Sequence, residues 1–143
     1  MTLLIDAAPL VAFADRRDPA RAAVERVLRE EPGTLVVPCP VTAEVDYLLG
    51  RRLGEPSRLA FLEDLVAERF QVACLDAADH ALVLDLERRY ADLAPGLADL
   101  SLVVVAARRR SIRLLTFDER HFRTIRPLGG EPAFALLPAD PAA

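Results

Sequence analysis

The sequence predicts an α/β fold: a central, mostly parallel twisted sheet of four to five strands flanked by helices, in one domain over residues 1–143. Three observations predict it. Short apolar runs of strand length alternate with helix-length segments along the whole chain, the pattern of β–α–β crossovers. The 143 residues are 52% apolar, enough to close one core and too few for two. No stretch reads as a linker or an internal boundary.

Leu3, Leu4 and Ile5 form the first strand, which ends at Asp6, and Ala8 to Ala14 follow as a short helix. Asp18 and Pro19 start a second helix, in which Ala20, Ala23, Val24, Val27 and Leu28 recur at helical spacing until Pro32 and Gly33 stop it. Leu35 to Val37 make the second strand, broken by Pro38 and Pro40. The helix after it carries Val41, Glu44, Val45, Leu48 and Leu49 on one stripe and ends near Gly54, which predicts that Glu44 lies on the buried side. Pro56 opens a helix with Leu59, Leu62, Leu65 and Val66 inward, and Val72 to Leu75 give a third strand. Asp76 caps a long helix with Ala78, Leu82, Leu86 and Tyr90 on one face, closed by a loop at Pro95 and Gly96. Leu97 to Arg110 is apolar nearly all round and has Asp99 in its first turn. It feeds a strand from Ile112 to Thr116, after which Asp118 appears. Phe134 to Leu137 add a last strand, and the tail from Ala139 is expected to fray.

Composition narrows the chemistry. The longest apolar runs, such as residues 100–107, fall far short of the roughly 20 residues a membrane span needs. The N-terminus lacks the basic segment and small-residue cleavage site of a signal peptide, so the expected location is cytoplasmic. Cys39 and Cys74 are too few for a disulfide framework, and His80 and His121 read as isolated from the acids, which argues against zinc. A metal would be held by carboxylates and would be a hard ion, Mg²⁺ or Mn²⁺. All 18 basic residues are Arg. The absence of Lys excludes the Walker-type phosphate loop and Schiff-base chemistry.

In open α/β sheets ligand sites collect beyond the carboxyl ends of the strands. Asp6 and Asp118 are placed there, Glu44 lies on the helix after the second strand, and Asp99 sits in a first helical turn, where the dipole favours negative charge. Taken singly, Asp6 and Asp118 suit helix caps or turns equally well, and Asp99 suits a surface helix start. Glu44 on a core-facing stripe is harder to explain without a cation, because an unpaired carboxylate is costly there. Gathered together, the four would resist ionisation unless a divalent ion compensated them. Two such ions could activate a water and stabilise the leaving oxygen in phosphodiester hydrolysis.

The stretches LLIDAAPLVAF, VTAEVDYLL, GLADLSLVVVA and LLTFDERHF resemble the four acidic motifs of PIN domains, in the order and spacing seen in VapC-type toxins, and together they cover nearly the whole chain. The resemblance implies a PIN-like fold and a metal-dependent endoribonuclease in which Asp6, Glu44, Asp99 and Asp118 ligate Mg²⁺ or Mn²⁺, with Thr116 as a polar neighbour. It also implies an RNA substrate, a VapB-like antitoxin covering the pocket, and a homodimer, which the surplus apolar faces of the early helices allow. Asp92 is a further acid near the pocket or, by the plainer reading, a solvated helix-end residue. A phosphotransfer receiver domain would require a lysine, and a haloacid-dehalogenase-like phosphatase a second Asp where this chain has Ala8. The remaining alternative is a catalytically inactive PIN-like module that only binds a protein or RNA partner. A net charge of -4 disfavours nucleic-acid binding globally, so RNA contacts would fall to local Arg clusters, with Arg120 or Arg123 the candidates.

Overall fold

A computed structural model describes residues 1–141. The strands are β1 (Thr2–Ile5), β2 (Thr34–Pro38), β3 (Gln71–Ala73), β4 (Arg113–Leu115) and β5 (Ala135–Leu137). The helices are α1 (Ala7–Ala14), α2 (Arg21–Glu30), α3 (Cys39–Arg52), α4 (Glu55–Val66), α5 (Ala77–Arg89), α6 (Gly96–Arg108) and α7 (Glu119–Thr124). All pairings in the five-stranded sheet are parallel and the strand order is β3-β2-β1-β4-β5. The predicted sheet is therefore present, with five strands.

β1 lies at the centre because it is apolar on both faces: Leu3, Leu4 and Ile5 have no exposure, as expected for a parallel strand covered on both sides. The chain moves outward from β1 through β2 to β3, then returns to the other side of β1 with β4 and β5. The reversal leaves a switch point between the carboxyl ends of β1 and β4, where loops diverge and a crevice opens. α6 is the helical counterpart of β1. Leu100 to Ala106 are all buried, so this helix needs no polar face and packs on β1, β2 and α3.

Three expectations about faces are corrected. On α3 the buried stripe is Val41, Val45 and Leu49, spaced by four, and Glu44 is exposed at its margin rather than buried. On α4 only Phe61 is buried, with Leu65 partly so. Leu59, Leu62 and Val66, which share helical spacing, face outward and leave an apolar strip, and Tyr47 of α3 is exposed as well. On α5 the buried positions are Asp79, Val83 and Leu86, so Leu82 points to solvent. The reason for the α5 rotation is polar: Asp79 closes a capping box with Asp76 and receives Arg108 from α6 at 2.9 Å, which turns that side of the helix inward. Of the tail, Asp140 is held, accepting from the Leu136 amide at 2.7 Å and pairing with Arg123 at 2.6 Å. The rest of the expected fraying concerns residues 142–143, which lie outside the described residues. No helix among the described residues is long and apolar enough to cross a membrane.

Leu4→Ala should destabilise the fold by about 2–5 kcal/mol in urea unfolding, because the cavity opens between fully covered layers. Leu82, 43% exposed, should cost less than about 0.5 kcal/mol on the same change. Equal losses at the two positions would contradict the orientation of α5.

Candidate active site

The site assembles at the switch point. Asp6 is the first residue after β1, and its amide still donates to the Leu115 carbonyl of β4 at 2.9 Å, so the sheet ladder itself fixes where the side chain begins. Its carboxylate caps α1 by accepting from the Ala7 amide at 2.8 Å, and it accepts from Thr116 Oγ1 at 2.7 Å. Asp6 is 7% exposed and Thr116 1%. Burial raises the pKa of Asp6, against the lowering effect of the Thr116 and Ala7 hydrogen bonds, and the nearby Asp118 charge raises it further.

Thr116 also accepts from the Asp118 amide at 3.0 Å, so one hydroxyl ties the end of β1 to the turn after β4. Asp118 does not end the strand directly, as expected from sequence. It stands three residues beyond Leu115 and is the N-cap of α7, accepting from the His121 amide at 2.9 Å. Asp99 reaches the site from the first turn of α6. Burial raises its pKa to about 6; the His121 hydrogen bond opposes this, while Asp6 and Asp118 add to the rise. Glu44, on the second turn of α3, is raised by partial burial and then by the charge of Asp6. Beyond burial, the pKa of Asp6 is thus raised by Asp118, that of Glu44 by Asp6, and that of Asp99 by both Asp6 and Asp118. Asp92 is exposed and takes no part in these contacts.

His121 is the residue that sequence reasoning set aside. Its Nδ1 lies 2.5 Å from Asp99 Oδ2 and 2.8 Å from Asp118 Oδ2, and both facing atoms are acceptors, so Nδ1 is assigned the proton. The signal lay in the spacing: with Asp118 as N-cap, a residue three positions later returns to the same side of the first helical turn. Asp99, Asp118 and His121 each offer a ligand atom within 4.8 Å of the others, close enough to share one ion. Asp6 and Glu44 stand outside this trio: Asp6 is linked by charge to Asp118 and His121, and Glu44 to Asp6. The basic candidates are less available than expected: Arg123 pairs with Glu119 and Asp140, whereas Arg120 is exposed.

Thr116→Val keeps the side-chain volume but removes both hydrogen bonds. It should cost about 1–3 kcal/mol and raise the Asp6 pKa further, seen together as a lower urea midpoint and weaker Mg²⁺ binding at neutral pH. Loss of stability without weaker cation binding would separate Thr116 from the site. Because the folded-state pKa of Asp99 lies above its model value of 3.8, the folded protein holds that proton more tightly than the unfolded chain. The resulting stability is present at low pH and is lost as pH rises through about 6. With chelator present, the melting temperature should therefore fall as pH rises from the ordinary value of 3.8 to about 6, and Asp99→Asn should flatten the fall. An unchanged slope in the variant would refute the placement of Asp99.

The PIN domain family model matches residues 3–126. Ribonuclease VapC26 of Mycobacterium tuberculosis is 36% identical over 136 residues, covering 95% of this chain and the whole of that protein. Among solved structures, the fold is similar to that of Mycobacterium tuberculosis VapC20, described as a sarcin–ricin loop-cleaving toxin, with a TM-score of 0.76 and 17% identity over 81% of this chain and 89% of that one. A buried acid after the central strand, an acidic first turn on the core helix and an acid-capped helix after β4 thus occur in a chain that the family model matches over most of its length; the chain belongs to the PIN domain family.

Proposed function

We propose that the chain is the toxin of a VapBC-type toxin–antitoxin pair, an endoribonuclease that depends on Mg²⁺ or Mn²⁺ held by Asp6, Glu44, Asp99 and Asp118. The observation that carries the proposal is the electrostatic linkage of four carboxylates at one switch point, with no Arg among the groups that shift Asp6, Glu44 or Asp99. An acidic cluster of this kind favours a bound cation, and its oxygen donors suit a hard one. When bound, such a cation neutralises phosphate charge and lowers the pKa of a coordinated water. The chain's own residues prepare the place. Thr116 holds the Asp6 carboxylate, the α7 N-terminus orients Asp118, and His121 keeps the Asp99 and Asp118 oxygens facing one another. The 36% identity to a ribonuclease over nearly the whole chain supports RNA as the substrate. The outward strip of Leu59, Leu62 and Val66 supports association with a second copy or an antitoxin. Activity in the cytoplasm follows from this reading.

Purified free of any antitoxin and incubated with total tRNA and structured RNA, the protein should cleave in Mg²⁺ or Mn²⁺ and not in EDTA. Asp6→Asn and Asp99→Asn should each lower the cleavage rate on the order of 10²-fold or more while remaining folded by circular dichroism. Cation binding by calorimetry should weaken in both. A folded wild-type protein that binds no divalent cation would instead favour the inactive binding module.

A further inference from the structure

Cys39 and Cys74 lie outside the acidic site, and none of the chemistry above uses them. Their neighbours Pro38 and Ala73 are register partners in the parallel pairing of β2 and β3, so the two cysteines follow side by side at the carboxyl end of the sheet. Adjacent parallel strands run about 4.8 Å apart. A disulfide needs Cα atoms about 4.4–6.8 Å apart, and the last paired residues before the two cysteines bring the chains to that range. Both side chains line the same surface cavity. Both residues are exposed and reduced, and together with Leu75, His80 and Leu97 they line a surface cavity of about 310 Å³ that a small oxidant can enter.

We propose that Cys39 and Cys74 are a reversible redox pair that closes to an intramolecular disulfide under a hydroperoxide. One thiolate attacks a peroxide oxygen, the O–O bond breaks and hydroxide leaves, giving a sulfenic acid. The second thiol then attacks that sulfur, the S–S bond forms, and the S–O bond breaks with release of water. The two sulfurs supply the electron pair that reduces the peroxide. Burial and the neighbouring thiol push the Cys39 pKa up, which makes the pair slow at neutral pH and faster as pH rises. The bond would enclose α3 and α4 in one loop and fasten the first residue of α3, the helix that carries Glu44, to the end of β3.

Treating the purified chain with hydrogen peroxide and mapping its peptides without reduction tests this directly. The expected product is a monomer in which the Cys39 and Cys74 peptides are linked with loss of two hydrogens, both thiols disappearing together in a thiol titration and returning with dithiothreitol. The single variants Cys39→Ser and Cys74→Ser, checked for folding by circular dichroism, should each leave one thiol that proceeds to sulfinic acid or to intermolecular dimers. Independent sulfinic oxidation of the two thiols in the wild type, intermolecular linkage only, or thiols that persist in excess peroxide would overturn the proposal.

Discussion

The hydrogen bond from Thr116 Oγ1 to the buried Asp6 carboxylate, at 2.7 Å, is the contact on which the acidic edge depends. A carboxylate 7% exposed is costly unless something donates to it, and here only the Ala7 amide and the Thr116 hydroxyl do. Because Thr116 also accepts from the Asp118 amide, the same oxygen sets the separation of two acids that repel one another. The sheet supports this from below, since the Asp6 amide bonds to Leu115 and the Thr116 amide to Leu137. Three neighbouring strand ends are thereby locked around one hydroxyl. Such rigidity matters for a site whose charges would otherwise spread apart to relieve their repulsion.

Asp99 enters this frame by a different route. It needs a scaffold that does not yield, and α6 supplies one: a helix buried from Leu100 to Ala106 cannot rotate without unpacking β1, β2 and α3 together. The cost of holding Asp99 there appears as its raised pKa. His121 offsets part of that cost by facing Asp99 and Asp118 with a single N–H.

The strand–helix order, the sheet and the four acids were legible because they rest on local signals: apolar runs of strand length, a capping Asp at position 76, an acid directly after β1. What escaped the sequence depended on which way a helix turns. Leu59, Leu62 and Val66 have the spacing of a core stripe, yet Phe61 occupies the core, and no periodicity distinguishes a stripe facing the core from one facing a partner. Glu44 was misplaced for a related reason, since one step along α3 rotates a side chain by about 100° and Val41, Val45 and Leu49 already fill the inner face. His121 was dismissed because α7 was not foreseen. Its role exists only once Asp118 begins a helix of six residues.

The distribution of arginine qualifies what an overall charge of -4 implies, because the charges are not spread evenly. Several guanidinium groups are spent on structure: Arg58 on Asp46 and Glu55, Arg108 on Asp79, Arg113 on Glu31, and Arg123 on Glu119 and Asp140. Arg16, Arg17, Arg51, Arg52 and Arg120, by contrast, are exposed and form none of the salt bridges found among the described residues. Phosphates respond to charge within about one screening length, roughly 8–10 Å at physiological ionic strength, and not to the sum over the molecule. The net charge therefore does not set the local field, and the exposed arginines outside these salt bridges carry positive potential on a chain that is acidic overall.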